Sequence, residues 1–152
     1  MNTNNITDLF DFALSQENEA SAFYTELAEK VQNSGVRQIF LELADDEKGH
    51  AMLIENYRNN PALEDKFHPP TYNYKVSESE EKPEMTSNMS PSDAIALAMK
   101  REQEAADLYL ALTQSAKDES EKTILTNLAN MELKHKIMLE DAFVNIGYPE
   151  VF

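Results

Sequence analysis

The chain has 152 residues, 41% of them hydrophobic, which is enough for one domain with one core. It has no cysteine, so disulfides, thiolate catalysis, zinc fingers and cysteine-ligated iron are excluded. Its formal charge is −15, from 13 basic and 28 acidic residues, a balance that repels nucleic acid and anionic membranes and tolerates cations.

Residues Met1–Asn5 show no basic segment followed by an apolar one, so no secretory signal is expected. No run approaches the ~18 apolar residues of a membrane span, and the expected compartment is the cytoplasm. A first helix is predicted from Asp8 to Gln32, with Thr7 as its N-cap. Leu9, Phe12, Ala13, Ala20, Phe23, Tyr24, Leu27, Ala28 and Val31 recur along it at helical spacing. Ser34-Gly35 is read as the break. The second helix is predicted from Val36 to Tyr57, with Phe40, Leu43, Ala44, Ala51 and Ile54 on its apolar face. So short a break sets the two helices antiparallel and adjacent.

From Arg58 to Ser90 the helical period is lost. Pro61, Pro69, Pro70 and Pro83 fall here, with an acidic, Ser-rich stretch from Ser77 to Glu84. A segment this long without regular structure reads as a crossover between two helix pairs. It is expected to let the third helix start near where the first one starts. Phe67, Tyr72 and Tyr74 are candidates to pack it down, and His68 reads as a surface residue. The third helix has a clear start: Ser90 as N-cap, Pro91 at the first position and Asp93 in the first turn. It is predicted to run to Ala116, and a fourth helix from Glu119 to Ile146, stopped by Gly147 and Pro149. The chain therefore divides into a helix pair over 8–57, a crossover over 58–90 and a helix pair over 91–146. The scattered methionines read as core filler.

The second and fourth helices carry the same short motif. Glu47 and His50 lie three residues apart, and so do Glu132 and His135. On a helix such positions share one face, so both side chains can reach one ion. Glu17 precedes Glu47 by 30 residues, and Glu102 precedes Glu132 by the same interval. Shifting the chain by 85 residues superimposes its halves: Glu17, Ala20, Tyr24 and Leu27 fall on Glu102, Ala105, Tyr109 and Leu112. Leu43, Ala44, Glu47 and His50 likewise fall on Leu128, Ala129, Glu132 and His135. This is an internal repeat of a helix pair.

The acidic positions of the repeat face inward. Glu17 shares its face with Ala13, Ala20 and Tyr24, and Glu102 with Ala98, Ala105 and Tyr109. Glu47 lies with Phe40, Leu43, Ala44 and Ile54, and Glu132 with Leu125, Leu128, Ala129 and Leu139. A buried, unpaired carboxylate is very costly. With no Lys or Arg read on those faces, two divalent cations would cancel the four charges, and two neutral imidazoles would complete the set. Glu19 and Glu104, two residues beyond Glu17 and Glu102, turn to solvent.

Glu17, Glu47-x-x-His50, Glu102 and Glu132-x-x-His135 resemble the six ligands of the ferritin-like di-iron carboxylate proteins. The pattern Glu17-x-x-Ala20-x-x-x-Tyr24, with its copy Glu102-x-x-Ala105-x-x-x-Tyr109, is most similar to the rubrerythrin family. The likeness covers the four helices and not the crossover. It implies an all-α, ferritin-like four-helix bundle of two antiparallel helix pairs joined by a long crossover. It also implies two iron ions, although mixed carboxylate and imidazole ligands suit zinc and manganese too. Glu47 and Glu132 would bridge the ions, Glu17 with His50 would complete one, and Glu102 with His135 the other. Tyr24 and Tyr109 would donate to ligating carboxylates and orient them.

The implied activity is two-electron reduction of hydrogen peroxide, or of dioxygen, by a di-ferrous centre. Rubrerythrins typically add a rubredoxin-like domain with four cysteines, which this chain lacks, so an external electron donor is expected. A homodimer is the expectation by likeness. The family's further carboxylate, one turn after the third-helix ligand, is Ala105 here; in the family it exchanges with a His on one iron upon reduction. Two other readings remain. One is a ferroxidase or iron-storage subunit, although storage ferritins have a single Glu-x-x-His and a fifth helix. The other is a non-catalytic metal-binding or partner-binding bundle.

Overall fold

A computed structural model of the chain describes residues 6–59, 78 and 81–147. Four α-helices account for most of them: α1 (Ile6–Lys30), α2 (Ser34–Asn59), α3 (Pro91–Leu112) and α4 (Glu119–Gly147). A 3₁₀ turn, Thr113–Ser115, ends α3 four residues before the Ala116 limit read from sequence. α1 packs along α2 and α3 along α4, which makes the all-α, ferritin-like bundle. Among the described residues no helix is long and apolar enough to cross a membrane.

The helix ends show which polar groups decide the boundaries. The α1–α2 break falls at Val31–Asn33, and Ser34-Gly35 lie inside α2. Asn33 wins as the N-cap because its Oδ1 accepts the Val36 N–H at 3.0 Å, satisfying a donor the helix cannot. Arg37 closes the other side of the break. Its Nη2 donates to the Val31 carbonyl at 2.7 Å and its Nε to the Ala28 carbonyl at 3.0 Å, so α1 has its last carbonyls satisfied by α2. Thr7, expected as a cap, lies within α1. Ser90 caps α3 as expected, its Oγ accepting the Asp93 N–H at 3.2 Å, with Pro91 next. Asp118 caps α4 through Glu121 N–H at 2.9 Å, and Glu121 reaches back to the Lys117 N–H at 2.6 Å. Gly147 is the last residue of α4. Pro149, Phe67, His68, Tyr72 and Tyr74 lie outside the described residues.

α3 begins beside the end of α1, not beside its start. The Met89 N–H donates to the Lys30 carbonyl at 2.8 Å, and Ile95, Leu97 and Ala98 pack with Tyr24, Leu27 and Val31. α2 stops at the end where α1 starts, and α3 begins at the opposite end. α2 and α3 are therefore parallel. The apolar interior falls into two clusters, one at each end. One gathers the end of α1, the starts of α2 and α3, and the end of α4 around Phe40, Leu43 and Leu139. The other gathers the opposite termini around Phe10, Ile54, Tyr57 and Leu125. Phe10 is core, whereas Phe12, assigned to the apolar face from sequence, is only half-buried. The methionines divide: Met89, Met99 and Met131 are core, but Met52 and Met138 are exposed. Between the two clusters lies a polar layer.

Candidate metal centre

Each helix contributes to that layer from near its middle. Glu17, Glu47, Glu102 and Glu132 are all 1% exposed or less, His135 is 8% exposed and His50 is half-buried. The inward offsets read from sequence place them here: Phe40, Leu43, Ala44 and Ile54 beside Glu47 are all buried, as are Leu125, Leu128, Ala129 and Leu139 beside Glu132. Glu19 and Glu104 are exposed.

The six side chains converge. His50 Nδ1 lies 3.1 Å from Glu47 Oε1, 3.4 Å from Glu132 Oε1 and 3.8 Å from Glu17 Oε1. His135 Nδ1 lies 3.2 Å from Glu47 Oε1, 3.5 Å from Glu102 Oε1 and 4.0 Å from Glu132 Oε2. The two imidazoles stack, with centroids 5.3 Å apart and planes within 12°. Two sets of four residues can each offer ligand atoms within 4.8 Å of one another. One set is Glu17, Glu47, His50 and Glu132; the other is Glu47, Glu102, Glu132 and His135. Glu47 and Glu132 belong to both.

Hydrogen bonding does not account for the cluster. Both oxygens of Glu47, Oε2 of Glu102, Oε1 of Glu132 and Nδ1 of each histidine are buried and make no hydrogen bond within the described structure. Groups in that condition are costly unless something else satisfies them. Carboxylate oxygens and imidazole nitrogens gathered in two overlapping sets could hold divalent metal. The two tyrosines stand behind the carboxylates: Tyr24 donates a short hydrogen bond to Glu102 Oε1, and Tyr109 Oη lies 3.4 Å from Glu17 Oε1. Each thus serves the opposite half of the repeat.

Without metal, protons must balance the charge. Burial pushes the Glu17 carboxyl up to about 7, against the pull of His50. Burial, together with the charges of Glu102, Glu47 and Glu17, holds Glu132 well above the usual carboxylate range. Burial would also raise Glu47, but His135 and His50 beside it bring its carboxyl down to about 2. Burial alone would lower both histidines. Glu17 and Glu47 instead raise His50 to about 9, and Asp46, Glu102 and Glu47 raise His135 well above its ordinary value. Burial and the surrounding carboxylates push both tyrosine hydroxyls up, so they remain donors.

A cavity of about 310 Å³ opens onto the carboxylates from the side away from the imidazoles. It lies between α1 and α3, where the repeat mates Ala20 and Ala105 leave space, with Gln16, Arg101 and Leu108 also on its wall. Lys136 corrects the reading that no cation lies on these faces. It stands one turn after Glu132 and is 1% exposed. Its Nζ, however, pairs with Glu78 and with Glu140 at 3.8 Å. Sequence reasoning also passed over Asp46, whose Oδ2 lies 3.4 Å from His135 Nε2 across the α2–α4 interface. Its position next to Glu47 was the available signal.

The description of the rubrerythrin family matches residues 8–143. The chain belongs to the rubrerythrin family. A hypothetical protein from Pyrococcus furiosus is similar in structure, with a TM-score of 0.63 and 27% identity over 97% of this chain and 94% of that one. No curated protein matches the sequence. Membership in the rubrerythrin family points to a di-iron carboxylate protein, and the buried donor set is one that can hold metal. The matched region takes in all six converging side chains and both tyrosines.

Proposed function

We propose that this rubrerythrin-family chain is a di-iron oxidoreductase that reduces hydrogen peroxide, or dioxygen, with electrons from an external donor. The observation that carries the reading is the set of buried Glu and His atoms without hydrogen bonds, gathered about two points that share Glu47 and Glu132. In this reading Glu17, Glu47, His50 and Glu132 hold one iron ion, and Glu47, Glu102, Glu132 and His135 hold the other. Iron held there would supply two electrons per hydrogen peroxide, which with two protons from solvent gives two waters; dioxygen would need two such turnovers to reach water.

The rest of the task falls to the protein. Tyr24 fixes the Glu102 carboxylate by donating to its Oε1. Tyr109 stands behind Glu17 and also lines the cavity, where its hydroxyl can donate to an entering oxygen atom. The apolar walls at Ala20, Ala105 and Leu108 limit water at the carboxylates and leave a path for a small neutral substrate. Arg101, over the Phe23 ring at 4.7 Å, marks the mouth with a positive charge.

The test is direct. Protein loaded with ferrous iron under anaerobic conditions is mixed with one equivalent of hydrogen peroxide in a stopped-flow spectrometer. Oxidation of both irons per peroxide within seconds is expected. Oxidation no faster than that of free ferrous iron in the same buffer overturns the proposal.

A further inference from the structure

The repeat makes the two halves of the site equivalent by sequence, but the side chains behind the ligands are not equivalent. His135 Nε2 has a carboxylate 3.4 Å away, Asp46 Oδ2. The residue that corresponds to Asp46 in the other half is Met131, a buried apolar side chain of the core cluster around Phe10, Ile54, Tyr57 and Leu125. No carboxylate therefore stands at that position for His50. The tyrosines differ in the same sense: Tyr24 donates to Glu102, whereas the Tyr109 hydrogen bond to Glu17 is stretched to 3.4 Å. Burial also differs, since Glu47, Glu102, Glu132 and His135 are all buried while His50 is only partly so.

These three differences favour the same half. We infer that Asp46 is a positioning residue that holds His135 with Nδ1 toward the carboxylates, so that the Glu102–His135 position binds a divalent cation first and more tightly than the Glu17–His50 position. The physical reason is preorganisation. A carboxylate on the outer nitrogen fixes the tautomer and ring orientation and raises the basicity of the inner nitrogen. The inference rests on the ligand assignment proposed above. Asp46 is 60% exposed and belongs to neither core cluster, so replacing it leaves the bundle intact.

The experiment is a titration of metal-free protein with zinc against a competing chelator, for the wild type, Asp46→Ala, Asp46→Glu, His50→Ala and His135→Ala. The wild type should bind in two resolved steps. Asp46→Ala should weaken the tighter step by about 10–100-fold and leave the weaker one, and Asp46→Glu should restore most of the loss. His135→Ala should abolish the tighter step and His50→Ala the weaker. Two equal steps in the wild type, or an Asp46→Ala protein that matches the wild type or is weakened at the weaker step, overturn the inference while leaving the metal centre standing. A wild type that binds no zinc overturns both.

Discussion

Removing metal and raising the pH should destabilise this protein, and one carboxylate should account for a separable share of the loss. Glu17 titrates near 7 in the folded chain against 4.5 as the ordinary value. Between those values the unfolded chain has shed the proton and the folded chain keeps it, so rising pH favours unfolding. Retaining that proton makes the loss about 3 kcal/mol, spread between pH 4.5 and about 7. His50, raised from 6.5 to about 9, contributes stability that is present below 6.5 and lost by about pH 9. Glu47 has the opposite sign: its contribution is present above 4.5 and disappears as pH falls toward about 2. The metal-free protein should therefore be most stable near pH 4.5 to 5. The assay is urea denaturation followed by circular dichroism, in chelator, at half-unit steps from pH 4.5 to 9. General repulsion in a chain of charge −15 has the same direction, so Glu17→Gln is the control that isolates the site. It should match the wild type near pH 4.5 and exceed it by about 3 kcal/mol at pH 8. With two equivalents of divalent cation the wild-type trend should invert, because the ligands bind deprotonated and binding stabilises only the folded chain. Stability of the metal-free protein that rises from pH 5 to 8, or a Glu17→Gln curve identical to the wild type, would refute the reasoning.

Metal loading at pH 7 should release protons. His50, raised to about 9, holds one and Glu17, at about 7, about half of one, while burial among the carboxylates shifts Glu132 and the neighbouring carboxylates shift His135 toward their protonated forms, so release of at least one to two protons per two cations is expected from calorimetry in buffers of different ionisation enthalpy. Release of fewer than one would show that protons do not balance the empty site. Tyr24→Phe, which frees Glu102 Oε1, should weaken metal binding by about 10-fold or more with little change in helix content. Arg37→Ala should do the reverse: a loss of about 1.5–3 kcal/mol of stability, from its bonds to the Ala28 and Val31 carbonyls, with metal content unchanged.

The site was legible in the sequence because a repeat and an inward register coincide at the same positions. Repetition alone does not single them out, since the exposed Glu19 and Glu104 are repeated too; Glu17, Glu47, His50 and their mates combine the repeat with inward register. The helices were legible for the same reason, through long apolar stripes. What failed was local or relational. Ser34-Gly35 carries a stronger breaker signal than Asn33, yet the Asn33 side chain sets the boundary by capping Val36. The direction of α3 did not follow from the sequence: it begins at the end opposite to the one where α2 stops. Asp46 was legible only as a neighbour of Glu47: its partner lies on a different helix, and nothing in the chain order places His135 Nε2 beside it. Lys136 shows the same limit, since its buried charge is answered by Glu78 from a segment without helical period. The repeat does show where the halves differ, Asp46 against Met131, but not that Asp46 reaches the histidine of the other half.

The most direct measurement of the central claim is metal stoichiometry, by elemental analysis after dialysis against excess ferrous iron or zinc, for the wild type, Glu47→Ala and Glu132→Ala. Two ions per chain in the wild type, and loss from both positions in each variant, are expected because each carboxylate is shared between the two ligand sets. A wild type that retains no metal, or a Glu47→Ala protein that still holds two ions per chain, would contradict it.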